Sequence, residues 1–534
     1  MTAIDFSWVA PPGSGTAAAT LVELALDGCR REPGTPALIF DDATTITRGQ
    51  IQAEAERFAG YLRRHVGPGE RFAVMVGNRA EAMIACLAAA ISRSIYVPVS
   101  ERARTSDLEH VLRASRARVL IAAPHVLDVV REVAERVPTL ERTLALAGDE
   151  PHGLAFADGS PPLPLAESDA RPDDIIGVFF TSGTTGRPKG CMLDHRAWLV
   201  LIDLSLRIAP GATHRILSPL QFHYPDAAIL FLGQFATDGA ALVCMRRFSV
   251  SRFWDLVRRE HVTIVQTLAS MAPMLLKAPP SPEDRRNDVI VGWHNAVPAD
   301  LHRELNERWG FPWIETYGIT EAGALIGTPL PAADQLVGTG ALGVPYPEVE
   351  VRLVDGDHRE VANGEVGELL VRAPGMFRGY LDDPETTASV LRDGWYATGD
   401  LLRRDGRGLY YFEGRKKELI RRSAENIAPA EVEDVLRAHP RILDAAVLPV
   451  PDELRGEEVK AYVELVDGAT RETVPPEAIV EHCAARLAPF KVPRYIEYRD
   501  TPFPRTPTMR VRKEELKRER ADLTAGAWDR EAQR

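Results

Sequence analysis

An apolar run that passes without a break into a loop rich in glycine and hydroxyl groups restricts this chain most: DIIGVFF (174 to 180), then TSGTTGRPKG (181 to 190). A strand of Ile, Val and Phe with no polar alternation is buried on both faces, as strands of helix-covered parallel sheets are. In the loop, Thr181, Ser182, Thr184 and Thr185 supply hydroxyl donors, and Gly183 and Gly186 let backbone N–H groups approach an anion unobstructed. Lys189 adds a point charge, so the loop suits a polyphosphate. A plain surface turn explains the two glycines but not the four hydroxyls and the lysine beside them. The loop is not of the GxxxxGK[ST] type, because Pro188 stands five residues after Gly183 and Gly190 follows Lys189. That argues against a kinase or an ADP-forming ATPase.

Around this loop the pattern predicts an α/β fold. Helix, strand and helix are read over 17 to 66, RFAVMVG and SIYVPVS flank the helix EAMIACLAAAIS, and VLIAAP follows a helix over Leu108 to Ala114. The alternation resumes in ALVCM, SRFWDLVRREH and TIVQTL, which implies a parallel sheet covered on both faces. From Val349 the short alternating strands EVEVRLVD and GELLVRA imply an antiparallel, barrel-like subdomain. Beyond GRKKELI the segments read as a compact α+β unit, which divides the chain into residues 1–414 and a small mobile domain over 415–534. The final stretch TAGAWDREAQR lacks a core pattern and reads as a loose tail. GTGALG (338 to 343) fits the dinucleotide pattern by letter, but prolines and strand alternation follow it where a helix is required, so NAD and FAD are rejected.

With 534 residues, the chain exceeds what one compact core usually holds. A net charge of −12 repels a phosphate backbone, so nucleic acid is not an expected partner. The cysteines Cys29, Cys86, Cys191, Cys244 and Cys483 are scattered without ligand spacing, and the N-terminus lacks the basic and apolar regions of a signal peptide. No apolar stretch reaches the roughly 20 residues of a membrane span. A cytoplasmic enzyme is the expectation.

Five motifs in order, TSGTTGRPKG, YGITE (317 to 321), GELLVRAPGMFRGY (367 to 380), WYATGDL (395 to 401) and GRKKELI (414 to 420), make the chain resemble the ANL superfamily of adenylate-forming enzymes. The likeness runs from about Leu21 to about Leu516, and HYPDAAILF, FSVSRFWDLVRREHVTIVQ and NAVPADLHRELNERWG are similar to its carnitine/crotonobetaine-CoA ligase branch. The resemblance implies ATP and Mg2+, a small-molecule carboxylic acid, and CoA as acyl acceptor. It matches Thr320 to a phosphate-contacting threonine, Glu321 to the magnesium ligand, Asp400 to the ribose-binding carboxylate and Arg415 to the arginine at ribose and phosphate. His294, Asn295 and Ala296 correspond to residues lining adenine, with Asn295 where a glycine is usual, and Tyr317 to a residue beside them. His223 corresponds to the gate beside the acyl carboxylate, while Tyr224, Trp293 and Tyr317 are either acyl-pocket or core residues. A small C-terminal domain turning about Lys417 is also implied.

Two departures bear on the second half of such a reaction. PRTPTMRV (504 to 511) has Met509 and Arg510 where the family has glycine and lysine, and Ser423 and Ala424 replace a glycine pair. Arg510 is either the substitute cation or a surface arginine of a basic run. Asp226 lies thirteen residues before Gly239, the offset of an ammonium-holding aspartate in amino-acid-activating relatives. It either meets an amino or quaternary-ammonium acid or caps the helix that follows. The alternatives to a CoA ligase are a stand-alone enzyme passing the acyl group to a carrier protein or an amine, an activator of an inorganic oxyacid such as nitrite, and a nucleotide-binding relative without turnover.

Overall fold

The computed structural model describes residues 17–146, 159–181, 188–207, 214–268, 271–295, 299–423, 425–452, 454–505 and 511–532. Two α/β sheets form the body of the larger part. A six-stranded sheet runs Arg142–Ala145, Val119–Ala122, Arg71–Met75, Ile95–Pro98, Ile175–Thr181, Lys189–Asp194, parallel except for its last pair. The second has nine strands, with Trp313–Ile319, Val291–Asn295, Ile264–Leu268, Arg215–Ser218, Ala241–Cys244 and Pro36–Phe40 parallel at its centre. Sequence pattern anticipated Pro36–Phe40, Arg71–Met75, Ile95–Pro98, Val119–Ala122, Ile175–Thr181, Ala241–Cys244 and Ile264–Leu268, but neither the other five strands nor the division between two sheets.

The division follows from the helices. Ala80–Ser92 is buried at every position, and Pro225–Gly233 is buried from Ala227 onward. A helix apolar all round must lie inside. With Leu21–Arg31 and Arg48–His65, these helices share one apolar core with strands of both sheets. The Thr47 hydroxyl and the Gln50 side chain cap the Arg48–His65 helix reciprocally.

As the alternation after Val349 predicts, Glu350–Val354, Val366–Arg372, Trp395–Arg404, Leu391–Arg392 and Tyr410–Arg415 form an antiparallel sheet. GTGALG leads into the short strand Val344–Pro345, not a helix. From Ile420 on, among the described residues, a separate core gathers Ile420, Val432, Val447, Val463 and Ile496 around a six-stranded sheet. The five cysteines are free and buried. Among the described residues no helix is long and apolar enough to cross a membrane.

The reading of the C-terminal stretch as a loose tail is corrected. Trp528–Asp529 pairs antiparallel with Tyr495–Tyr498, Asp529 meets Arg494 at 3.1 Å, and Glu531 meets Arg455 at 2.7 Å. One docked tryptophan and two ion pairs leave no periodic signal, so the pattern could not reveal them.

Candidate active site

The carboxyl ends of four adjacent parallel strands, Arg215–Ser218, Ile264–Leu268, Val291–Asn295 and Trp313–Ile319, open onto one edge of the nine-stranded sheet. Ligands of open α/β sheets bind at such edges. His223, Asn295, Tyr317 and Glu321 all lie on or just beyond these ends.

Thr181 and Lys189 face each other across the antiparallel pair of the six-stranded sheet, at the base of the 182–187 loop. Ser182, Gly183, Thr184, Thr185 and Gly186 lie outside the described residues, as do Ala296 and Arg510. The Lys189 ammonium stands 5.3 Å from the centre of the Tyr380 ring. The Tyr380 hydroxyl donates to Glu321 Oε1 at 2.9 Å and lies 3.4 Å from the Tyr396 hydroxyl. A backbone bond from Phe377 N to Glu321 O and a bridge between Cys191 and Tyr380 tie the YGITE turn to the lysine strand. Burial first, and the Glu321 carboxylate second, push the Tyr380 phenol well above its ordinary range and hold it as a donor. The turn itself needs Gly318, since a Cβ there would stand 2.6 Å from the Gly323 carbonyl oxygen. Thr320 is half-buried within it.

Glu321 is partly accessible and, among the described residues, no group of three His, Cys, Asp or Glu side chains forms a metal cage. A lone carboxylate beside a lysine suits Mg2+, which is commonly held by one or two carboxylates and by substrate phosphates.

A second cluster joins the nine-stranded sheet to the antiparallel one. Asp400, 1% exposed, accepts from the Tyr317 hydroxyl at 2.7 Å and pairs with Arg415 Nε at 2.9 Å. Asp400 and Arg415 are register partners on neighbouring strands, and Gly414, at φ +129°, supplies the backbone conformation just before Arg415. Burial is the largest influence and opposes the Arg415 charge, but Asp400, Glu418, Tyr317 and Glu321 together outweigh it and leave the guanidinium above its usual range. The Tyr317 phenol is raised by burial and then by Asp400.

The third cluster lies between the Arg215–Ser218 strand and the Pro225–Gly233 helix. The rings of His223 and Tyr224 lie 4.3 Å apart, and, among the described residues, buried His223 Nε2 and Tyr224 Oη have no hydrogen-bond partner. Burial, aided by the Arg102 charge, lowers His223 to about 3, so its ring is neutral at pH 7. Solvent reaches Asp226, yet the protein crowds it enough that lost solvation raises its carboxyl. Its charge also acts on the Tyr224 phenol, which burial already raises. Asp226 is not the cap residue, since Tyr224 occupies that position and Pro225 follows; Asp226 lies in the first turn, where its own backbone N–H favours its charge.

Strand alternation separates the residues of the Val291–Asn295 strand. The Trp293 indole donates to Thr316 Oγ1, which donates to Asn295 Oδ1 at 3.1 Å, and Trp293 packs against the same core as Tyr224 and Tyr317. His294 turns the other way. It is fully buried, 2.6 Å from the Thr267 hydroxyl, with its ring 6.2 Å from that of Trp313 in a second core. Its side chain therefore does not join the others, because the residue is on the core face of its strand, and only its backbone lies at the sheet edge. Tyr380, Tyr396, Thr316 and Arg102 were not singled out from sequence. Tyr380 and Tyr396 stood within recognised motifs; Thr316 and Arg102 did not.

The chain matches the AMP-binding enzyme family over residues 27–381 and the AMP-binding enzyme C-terminal domain over residues 431–510. It is 32% identical to a feruloyl-CoA synthase from Amycolatopsis sp. over 89% of this chain and 94% of that one. It is 28% identical to a crotonobetaine/carnitine–CoA ligase from Salmonella choleraesuis over 90% of this chain and 95% of that one. The solved structure of an amide bond synthetase from Marinactinospora thermotolerans superposes with a TM-score of 0.79 at 27% identity, covering 93% of this chain and 99% of that one.

Proposed function

Because the chain belongs to the family of AMP-binding enzymes and is an AMP-forming ligase, we propose that it activates a small organic carboxylate as an acyl-adenylate and then transfers the acyl group to the thiol of CoA. The observation that carries this reading is the meeting of a lysine-based loop, the Glu321 turn and the Asp400–Arg415 pair at one sheet edge. In the first step a carboxylate oxygen bonds to the α-phosphorus of ATP, and the bond to the β-phosphate oxygen breaks as pyrophosphate leaves with its electron pair. A carboxylate is already a nucleophile, so no side-chain base is required. Lys189 and the hydroxyls of the 181 to 186 loop stabilise the charge on the departing pyrophosphate. Asp400 accepts from ribose hydroxyls, while Arg415 stays charged beside sugar and phosphate. Glu321 would hold Mg2+, which supplies charge neutralisation of the phosphates, and Tyr380 orients that carboxylate. In the second step the thiol sulfur bonds to the acyl carbon, AMP leaves, and the thiol proton passes to solvent.

His223, Tyr224, Asp226 and Trp293 are assigned to the acid pocket, where the unpartnered atoms of His223 and Tyr224 offer polar contacts to a substrate. Asn295 and Tyr317 are assigned to the boundary between acid and adenine. Arg510 is assigned as the mobile cation of the activating state. We divide the chain at 414/415 with a hinge near Lys417, a reading supported by the separate cores on either side. The likeness to an amide bond synthetase favours one alternative, an amine as acceptor.

Acid-dependent exchange of labelled pyrophosphate into ATP, run over aromatic acids such as ferulate and quaternary-ammonium acids such as carnitine, tests the first step. CoA or simple amines added to the responding acid, with products read by mass spectrometry, test the second. Absence of exchange with every acid overturns the proposal, and an amide without a thioester moves it to the alternative.

A further inference from the structure

Pro188 stands directly before Lys189, and having no N–H it offers a partner only its main-chain carbonyl. That carbonyl is taken by a side chain from a distant helix. Thr105–Ser115 is seated by its buried Leu108, Val111, Leu112 and Ser115, and it carries His110, which is half-buried. His110 Nε2 lies 2.8 Å from the Pro188 carbonyl oxygen. A carbonyl only accepts, so the imidazole carries a proton on Nε2 and donates. The same ring meets the Phe180 ring edge-on, with centroids 6.2 Å apart and planes at 83°. Across the antiparallel pair of Ile175–Thr181 and Lys189–Asp194, Phe180 is opposite Gly190 and Thr181 is opposite Lys189. Gly190 leaves the room for this packing, since a Cβ there would stand 3.3 Å from Phe180 Cζ. One side chain thus holds both strands of the pair, one residue before Thr181 and one residue before Lys189. The Pro188 carbonyl and the Lys189 nitrogen belong to one planar peptide unit, so a bond that fixes the oxygen fixes the plane from which the Lys189 side chain departs. The other end of that side chain is the ammonium 5.3 Å from the Tyr380 ring centre.

We propose that His110 is a positioning residue for Lys189, which clamps the Pro188 carbonyl so that the lysine is aimed at the phosphates of ATP during acid activation. This rests on the adenylating function proposed above. A misplacement of about 1 Å at a positioned group can cost about a hundredfold in rate, so even a partial loss of aim is measurable. His223, Tyr224 and Asp226 follow the strand Arg215–Ser218 of the other sheet, so the loss falls on ATP and leaves binding of the acid alone.

The test compares His110→Phe, which keeps a ring beside Phe180 and removes the donor, with His110→Gln, which gives up the ring and returns an N–H at similar reach. Both are made in the parent and in Lys189→Ala. With the acid chosen by the exchange screen, kcat over KM for ATP in pyrophosphate exchange falls about tenfold in His110→Phe, KM for the acid stays within about twofold, and His110→Gln recovers most of the loss. In the Lys189→Ala background His110→Phe costs less than about twofold, because the group that it positions is already gone. An equal loss in the two backgrounds overturns the proposal, as does an equal change in the acid and ATP constants. Amide hydrogen exchange read by mass spectrometry follows the clamp without turnover. Peptides covering Lys189–Asp194 exchange faster in His110→Phe than in the parent and His110→Gln, while those covering the Arg71–Met75 strand of the same sheet are unchanged. Exchange of the Lys189–Asp194 peptides at the parental rate overturns the proposal. If no acid supports pyrophosphate exchange in the parent, the functional reading falls, and the amide measurement still judges the clamp.

Discussion

The proposed nucleotide and acid sides of the cleft differ in how their polar groups are satisfied. On the proposed nucleotide side the carboxylates meet protein donors, Tyr317 and Arg415 on Asp400 and Tyr380 on Glu321, although, among the described residues, Asp400 Oδ1 is held by the Arg415 charge and by no hydrogen bond. On the acid side, among the described residues, His223 Nε2 and Tyr224 Oη are buried without partners, and Asp226 is crowded without a capping bond. A buried unpaired polar group costs about 1–3 kcal/mol, so the acid side gains more than the nucleotide side when its substrate supplies the missing partner. The lesson is that the constant substrate meets a pre-paired wall, and the variable one meets a wall that it completes.

Breaking the nucleotide side has the largest expected effect. Glu321→Ala should lower pyrophosphate exchange by about a hundredfold or more, and Lys189→Ala by a smaller factor, because both act on phosphate charge at the transition state. A folded Glu321→Ala protein with the parental rate would remove the basis of the comparison. Next comes Asp400→Asn, which keeps the shape but takes the charge from Arg415. KM for ATP should rise about tenfold with KM for the acid little changed, checked by steady-state kinetics in both substrates.

The acid side is sharpened by Asp226→Asn. If the partner of Asp226 is a cation on the acid, the parent prefers amino or betaine acids over uncharged isosteres by about tenfold, and the variant loses that preference. A parent without the preference, or a variant that keeps it, removes the role.

The smallest effect is on stability. His223 is lowered to about 3 in the folded chain, below the ordinary histidine value, so between those two values the unfolded state binds a proton that the folded state does not. Stability therefore falls as pH drops from about 6.5 toward 3, by at most about 1.4 kcal/mol per pH unit from this residue. Thermal melting from pH 7 to pH 5 should show a shallower decline in His223→Gln than in the parent, and equal slopes would contradict the burial assigned to this ring.

Much of the fold was legible because several central strands are unbroken apolar runs and outer helices such as Arg48–His65 alternate apolar and polar faces. The β-rich region after Val349 was legible from alternation. The division into two sheets was not, since periodicity reports how many faces of an element are buried and not which neighbour buries them. In the site, the loop around Lys189, the Glu321 turn and the Asp400–Arg415 pair could be found because each is a short segment with unusual chemistry. Thr316 and Arg102 were passed over because nothing local distinguishes them.

The sequence by itself determined the glycine- and hydroxyl-rich segment 181–190, the order of the motifs around it and the family they belong to. The tertiary structure decided which of these side chains meet. In a strand, successive residues point to opposite faces, so Trp293 and Asn295 share one face while His294 enters the core, and only packing says which face is which. The same holds over longer range: Tyr317 meets Asp400 because folding brings together positions 83 residues apart.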